Sequence, residues 1–237
     1  MNDHESDSER FAGGLTREML ENDAMRRALR ARHPDVAVLD DAALQASIDD
    51  TLARRPPQAR AQDGIWLFAY GSLLWNPCIR VAERRLGRLY GFHRDFCLKL
   101  IFGRGSPDAP GLMLALAPGG SCQGVALRVA ERDLDSELLL VWRREMLTGV
   151  YRPRWLRLYT AHGPLDVVAF VVNRDHERYT GRLGESELVR LMATGHGVLG
   201  SCAEYLNNTV AHLDELGIRD RRLHRLRERV RAHDRRG

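Results

Sequence analysis

The sequence contains almost no lysine. Lys99 is the only one among 36 basic residues, and all the others are arginines. This bias is typical of GC-rich coding, because a surface selected for phosphate contacts uses both residue types. The formal net charge is only +4, and nine arginines against three acidic residues concentrate the basic charge in segment 217–237. The composition favours a GC-rich bacterial source and predicts no nucleic-acid partner.

Long apolar runs and paired cysteines are also missing. No apolar run approaches the roughly 20 residues that are needed to span a bilayer, and no secretory hydrophobic segment is evident. The four cysteines are widely spaced and form no CxxC pair. These absences predict reduced thiols, no membrane partner and a cytoplasmic location.

Three common catalytic motifs are absent as well. The nine histidines include no HExxH and no close cluster with cysteine, which argues against a metal enzyme. Ser72 lacks the flanking glycines of a GxSxG nucleophile elbow. There is no GxxxxGK[ST] loop, and Lys99 does not lie in a glycine-rich loop, so phosphate-binding-loop chemistry is excluded.

Periodicity divides the chain into helical and strand blocks. Residues 1–12 are polar and are predicted to be disordered. Apolar residues at helical spacing predict helices at 15–32 and 41–55, followed by a Pro-rich linker. We therefore expect two regions: a disordered start with a helical extension at 1–60, and a catalytic domain with C-terminal helices at 61–237.

The second region begins with strands and ends with helices. Period-two segments between glycines and prolines predict strands at 65–70, 79–89, 92–101, 111–117, 122–129, 155–161 and 165–172. Helical patterns follow the fifth of these strands, from 133, and recur at 185–193, 201–216 and 220–234. A cluster of strands followed by helices predicts an α+β fold, with a mixed or antiparallel sheet curled towards a barrel.

An abrupt break interrupts the first apolar strand in the stretch FAYGSLLW. The run reaches Tyr70, stops at Gly71-Ser72, and resumes at Leu73. A strand that ends in this way can turn successive backbone N–H groups outward and form a concavity for a carboxylate or phosphate. A plain turn at the strand end is the alternative interpretation.

One acidic residue is placed unusually on the helix after Asp133. Positions 134, 138, 141 and 145 share a face, and the first three are Leu134, Leu138 and Val141. The fourth is Glu145. A carboxylate on an apolar stripe is either an edge residue paired with a neighbour such as Arg144, or a buried functional acid.

Six ordered sequence blocks resemble a known enzyme family. They are FAYGSLLWNP, LGRLYGFHRDFCL, GRGSPDAPG, CQGVALRV, WRREMLTGVY and ATGHGVLGSCAEYLNNTVAHLDELGIRD. Together they resemble the ChaC family of glutathione-specific γ-glutamylcyclotransferases, over a region from Ile65 to about Leu226. The resemblance implies the α+β γ-glutamylcyclotransferase fold, with a mixed β-barrel and surrounding helices. It also implies cleavage of glutathione to 5-oxoproline and cysteinylglycine, without a metal or organic cofactor.

The same resemblance implies seven site residues. Glu145 in the RRE segment corresponds to the acid/base, and Arg104 and Tyr151 correspond to residues that line the pocket. The cradle for the γ-glutamyl end of the substrate corresponds to Tyr70, Gly71, Ser72 and Leu73.

Two other functions stay open at this point. The chain could act on other γ-glutamyl amines or dipeptides, or it could be a non-catalytic binding protein, such as a regulator linked to cation transport. The sequence leaves the oligomeric state undetermined.

Overall fold

Five strands close into a barrel in the computed structural model, which describes residues 14–235. The polar segment 1–12, predicted to be disordered, lies outside the described residues. The strands are β1 (Ile65–Ala69), β2 (Glu83–Leu100), β3 (Gly111–Val129), β4 (Tyr151–Thr160) and β5 (Gly163–Val172). Their order around the barrel is β1-β3-β2-β4-β5, and β5 also pairs with β1 and β3. Those two β5 contacts are parallel whereas β1–β3 and β4–β5 are antiparallel, so the predicted mixed barrel is confirmed.

Helices precede the barrel strands, interrupt them and follow them along the chain. They are α1 (Arg17–Glu21), α2 (Ala24–Arg32), α3 (Asp41–Ala53), α4 (Pro57–Arg60), α5 (Leu134–Glu145), α6 (Glu185–Thr194), α7 (Cys202–Glu215) and α8 (Arg221–Asp234). A short antiparallel pair, β6 (His196–Gly197) and β7 (Gly200–Ser201), joins α6 to α7. Within residues 14–235, each helix is too short or too polar to cross a lipid bilayer.

The chain divides into two compact units. The barrel unit comprises Thr16–Asp95 and Ala115–His176. The helical unit comprises Phe96–Leu114 and the chain from Glu177 onward, and therefore contains α6, α7 and α8. The expected division at residue 60, between an extension and a catalytic domain, stays a prediction.

Two of the strands are longer than the sequence pattern indicates. The segments 79–89 and 92–101 were predicted as separate strands, but Glu83–Leu100 form one continuous β2, which contains Gly91 at φ +82°. The segments 111–117 and 122–129 were also predicted as separate strands, but they belong to one continuous β3, in which Gly119 and Gly120 adopt φ +102° and +68°. The prediction of separate strands is wrong, because these glycines bend a strand inside a closed barrel rather than end it.

The boundaries of two other elements also differ from the pattern. The helix predicted over 15–32 is broken after α1, where Asp23 adopts a left-handed conformation at φ 58°. Strand β4 begins at Tyr151 rather than at Trp155. Pro153 lies inside this strand, and a proline lowers the expectation of a strand because it has no N–H to donate.

The N-terminal helices of the barrel unit are tied to α5 by a buried carboxylate. Glu137 is fully buried, and its two oxygens accept hydrogen bonds from Arg17 Nη1 and Nη2 at 2.7 and 2.8 Å. The backbone N–H of Arg80 donates to the same carboxylate at 2.9 Å. Burial alone raises the pKa of Glu137, but the hydrogen bonds from Arg17 and Arg80 outweigh it and leave the pKa below its usual value.

A second ion pair holds the end of α5. Arg143 donates from Nε to Asp41 Oδ1 at 3.1 Å and from Nη1 to the carbonyls of Leu20 and Glu21, each at 2.9 Å. Hydrogen bonds from Arg143, with a further one from Arg26, lower the pKa of Asp41 to about 2. Side chains of α5 thus contact α1 and α3, and the position of α5 depends on both.

A buried aromatic contact fixes α5 against the barrel. The rings of Trp142 and Phe170 in β5 meet edge to face at a centroid distance of 5.0 Å. The indole N–H of Trp142 donates to Ser47 Oγ in α3 at 3.0 Å. Helix α5 is therefore held between a barrel strand and the N-terminal helices.

We expect Arg17→Gln to lower the free energy of unfolding by about 2 kcal/mol at pH 7, since it leaves a buried carboxylate without its bidentate partner. The fold lowers the pKa of Glu137. The stability from this pair is therefore present above the ordinary carboxyl pKa of about 4.3 and is lost as the pH falls through the folded-state pKa. Urea unfolding should show a smaller difference between the two proteins at about pH 3.

Arg54→Gln is the matched control for this experiment. Arg54 forms an exposed i,i+4 ion pair with Asp50 in α3. Because exposed pairs contribute little, we expect a change within about 0.5 kcal/mol. An effect of Arg17→Gln that equals the control, or that does not change with pH, would contradict the structural role of Glu137.

Candidate active site

Strand β1 ends at a tight turn formed by the YGSL segment. The strand stops at Ala69, and Ser72–Leu74 form one turn of 3-10 helix. The N–H of Leu74 donates to the carbonyl of Gly71 at 2.9 Å, and the N–H of Asn76 donates to the carbonyl of Ser72 at 3.0 Å. The N–H groups that open a helical turn have no acceptor inside it. Those of Ser72 and Leu73 are therefore not used by the turn itself.

Tyr70 anchors the start of this turn in the barrel. Its side chain is buried, and its hydroxyl donates to the carbonyl of Phe170 in β5 at 2.8 Å. Pro153, which pairs with Phe170 in the β4–β5 register, has no N–H to offer that carbonyl. The Tyr70 hydroxyl is thus bound to the barrel and fixes the start of the turn there.

A buried arginine holds the backbone of Tyr70. Arg94 lies in β2, and its Nε donates to the Tyr70 carbonyl at 2.6 Å while Nη2 donates to the carbonyl of Gln123 in β3. No role for Arg94 was predicted, although the sequence contains a signal. Arg94, Phe96 and Leu98 are two residues apart in β2 and therefore share one face of the strand. Phe96 and Leu98 are buried, so Arg94 is a charged residue at a position where an apolar one is expected.

The last two of the four cradle residues differ in their exposure. Leu73 is buried, whereas Ser72 is half-buried. Leu73 therefore fixes the turn from inside, and Ser72 is the member of the segment whose side chain is partly open to solvent.

Glu145 is the last residue of α5, and it lies on the face that the sequence predicts. Leu134, Leu138 and Val141 on that face are all buried, and the Glu145 side chain is 13% exposed. Burial raises the pKa of Glu145 above its usual value, and the neighbouring Arg144 opposes this shift only in part. The carboxylate also stands at the C-terminal end of a helix, where the helix dipole disfavours negative charge.

Arg144 connects Glu145 to the chain that follows the YGSL turn. Its Nε donates to Glu145 Oε1 at 3.0 Å, and its Nη1 donates to the carbonyl of Asn76. Since the N–H of Asn76 is bonded to Ser72, three hydrogen bonds lead from the turn to the carboxylate. The sequence left open whether Glu145 is paired with Arg144 or buried, and in the structure it is both.

The two remaining predicted residues, Tyr151 and Arg104, belong to different units of the chain. Tyr151 is the buried first residue of β4, after a turn in which Gly149 adopts φ +71°. Arg104 lies in the helical unit, where Nη1 donates to the carbonyl of Ser201 at 3.0 Å and to Glu204 Oε2 at 2.9 Å. Six of the seven predicted residues thus belong to the barrel unit, and the pocket role of Arg104 stays a prediction.

The residues on these elements suit proton transfer better than metal binding. Within residues 14–235, no three His, Cys, Asp or Glu side chains are grouped so that they could hold a metal ion. A carboxylate with a raised pKa can exchange a proton near neutral pH. The N–H groups that open a helical turn can bind an anionic group, so the two features are chemically suited to different parts of one reaction.

Comparisons with known proteins match this region. A family model described as ChaC-like protein matches residues 65–233. The glutathione-specific γ-glutamylcyclotransferase of Escherichia coli is 41% identical over 176 residues, which are 74% of each chain. The mouse glutathione-specific γ-glutamylcyclotransferase 1 is 28% identical over 177 residues, covering 70% of this chain and 79% of the mouse protein.

A solved structure shares the fold. The crystal structure of a yeast γ-glutamylcyclotransferase specific to glutathione superimposes with a TM-score of 0.67 at 20% sequence identity. The match covers 72% of this chain and 97% of the yeast chain. At this identity the likeness establishes the fold of the barrel and its helices.

We expect Tyr70→Phe to reduce stability by about 1–2 kcal/mol, because it leaves the buried Phe170 carbonyl without the hydroxyl donor. Tyr159→Phe removes a hydroxyl from an exposed side chain and serves as the control, with little change expected. Thermal unfolding of both variants measures the difference. If they unfold at the same temperature, the Tyr70 hydroxyl does not anchor the turn.

Proposed function

The chain belongs to the ChaC-like protein family, and we propose that it is a γ-glutamylcyclotransferase that cleaves glutathione to 5-oxoproline and cysteinylglycine. The names of the E. coli and mouse relatives support the choice of substrate. The observation that carries the proposal is the buried Glu145 carboxylate with a raised pKa, connected through Arg144 to the chain after the YGSL turn.

The reaction is an intramolecular exchange of one amide bond for another. The α-amino nitrogen of the γ-glutamyl group attacks its own side-chain carbonyl carbon and closes a five-membered ring. The bond between that carbon and the cysteine nitrogen breaks, and cysteinylglycine leaves. Because both reacting groups belong to the same substrate, the enzyme needs no nucleophilic side chain, and holding a folded conformer supplies much of the acceleration.

Glu145 is the acid/base in this proposal. It accepts a proton from the substrate α-ammonium, which frees the attacking nitrogen, and it returns a proton to the departing amine. An ordinary carboxylate is too weak a base for an ammonium group. Burial at the end of α5 raises the pKa of Glu145 and so brings it closer to the range in which both transfers are efficient.

The YGSL turn is the proposed cradle for the γ-glutamyl end of the substrate. The N–H groups of Ser72 and Leu73 are not used by the turn, and such donors bind carboxylates well. Tyr70 supports the cradle through its bond to the barrel. Tyr151 and Arg104 are proposed to contact the rest of the substrate, a role that is supported by the family motif alone.

The proposal also covers the source of the enzyme, its compartment, its cofactors and its partners. We propose a bacterial, cytoplasmic protein that acts without metal or organic cofactor and without a nucleic-acid partner. All four cysteines lie within the described residues and none of them forms a disulfide there, which supports a reducing compartment.

Two alternatives are tested by the choice of substrate. Purified protein is incubated with glutathione and, separately, with γ-glutamyl dipeptides that lack the cysteinylglycine portion, and 5-oxoproline is measured by chromatography. We expect product from glutathione, at a rate that EDTA does not change. Product from the dipeptides alone would support a cyclotransferase of different specificity, and no product from any of them would favour a binding protein.

We expect Glu145→Gln to fold normally and to lose at least about 100-fold in turnover, because it keeps the shape of the side chain and removes its titration. Circular dichroism tests the fold, and 5-oxoproline production tests the activity. Glu187→Gln, at an exposed position in α6, is the control and should retain the activity of the unmodified protein. A folded Glu145→Gln protein with most of its turnover would exclude Glu145 as the acid/base.

A further inference from the structure

Arg144 is the charged residue of α5 that faces Glu145. We infer that Arg144 is a positioning residue for the reaction, which holds the Glu145 carboxylate in one orientation against the chain that follows the YGSL turn. The inference rests on the proposed function, since it names the group that sets the geometry of the proposed acid/base.

Helix geometry alone does not produce the contact between these two side chains. Consecutive helical residues point about 100° apart, so adjacent side chains do not normally face each other. Nevertheless Arg144 Nε lies 3.0 Å from Glu145 Oε1. The guanidinium is brought there by its other partner, because Nη1 donates to the Asn76 carbonyl and the side chain is only 7% exposed.

The segment that receives Arg144 is itself held at both ends. At one end the N–H of Asn76 is bonded to Ser72 in the YGSL turn. At the other end the N–H of Arg80 is bonded to the buried Glu137 of α5. Arg144 therefore contacts a segment whose position is fixed from the turn and from α5.

Cys78, in the middle of that segment, adds a strained residue. Its φ is 57°, a left-handed conformation that non-glycine residues adopt rarely and that persists only where the surroundings hold it. Its thiol donates to Asn76 Oδ1 at 2.9 Å and also interacts with the Arg144 guanidinium. The guanidinium thus joins the carboxylate, a backbone carbonyl and the thiol.

The positive charge of Arg144 should have a measurable effect on the pKa of Glu145. Among the described residues, Arg144 is the one charged group that stabilises the ionised form of Glu145, and it does so against a larger effect of burial. Cys78 faces the same guanidinium, but burial raises the pKa of its thiol and keeps it neutral. Removing the Arg144 charge should therefore move the pKa of Glu145 further upward.

The test compares Arg144→Gln and Arg144→Lys with the unmodified protein, using the pH dependence of kcat and kcat/KM for glutathione. We expect Arg144→Gln to reduce kcat by about 10- to 100-fold, since a small misplacement of a catalytic group is costly. The acidic limb of its kcat/KM profile should move up by about one pH unit or more, because the cation is lost.

The lysine variant separates charge from geometry. Its ammonium keeps the positive charge, so the acidic limb should stay close to that of the unmodified protein. It cannot form the fork of bonds that joins Glu145 to Asn76, so kcat should stay low. An Arg144→Lys protein with full kcat, or a folded Arg144→Gln protein with an unshifted acidic limb, would overturn the inference.

Arg143→Gln is the matched control, because Arg143 is the neighbouring arginine and is bonded to Asp41, Leu20 and Glu21 instead. A purely structural effect of losing an arginine from α5 should lower the unfolding temperature and leave the acidic limb in place. If Arg143→Gln shifts the acidic limb as much as Arg144→Gln does, the inference fails.

A second measurement separates this inference from the proposed function. The side-chain carboxyl of Glu145 is followed by carbon-13 NMR as the pH is varied, with Glu145→Gln used to assign the signal. If the unmodified protein makes no 5-oxoproline, the proposed function has failed. A Glu145 pKa that is higher in Arg144→Gln than in the unmodified protein would still support the contact, and an unchanged pKa would overturn it.

Discussion

The pairing of carboxylates along α5 and at the start of α3 is the constraint on which the site depends, because a charge that is removed from water, such as that of Glu137, must find a partner. Glu137 receives two bonds from Arg17 and one from the backbone of Arg80, and Asp41 receives bonds from two arginines. Both have lowered pKa values and stay ionised. Because each of these carboxylates accepts several hydrogen bonds, it stays ionised and holds neighbouring elements together.

The environment of Glu145 differs from the environments of Glu137 and Asp41. It is bonded to one arginine through one oxygen, and burial outweighs that single partner. Its pKa is therefore raised while those of Glu137 and Asp41 are lowered. The distinction between a carboxylate that anchors α5 and one that can exchange a proton lies in whether its hydrogen bonds outweigh the effect of its burial. This distinction supports the choice of Glu145 over its acidic neighbours as the acid/base.

Local patterns in the sequence predicted the parts of the site that depend on local geometry. The apolar face of α5 followed from helical spacing, and the end of β1 followed from the Gly71-Ser72 break. Contacts between distant segments were not predictable in this way. Arg144 and Asn76 are 68 residues apart, and nothing in either segment indicates that a guanidinium of one reaches a carbonyl of the other. The continuity of β2 through Gly91 was missed for a related reason, since barrel closure decides whether a glycine bends a strand or ends it.

The proposed reaction requires a group that binds the substrate and a group that transfers a proton. These groups lie on different elements, so the contact between those elements is important. The turn after β1 is fixed by the barrel, through the Tyr70 hydroxyl and the Arg94 guanidinium. The carboxylate is fixed by α5, whose position depends on the N-terminal helices. The proposed roles of the turn in binding substrate and of Glu145 in proton transfer both require that these elements keep one spacing. The Arg144 bonds to Asn76 and Glu145 span them directly, so the spacing is set at the site itself and does not depend only on packing farther away.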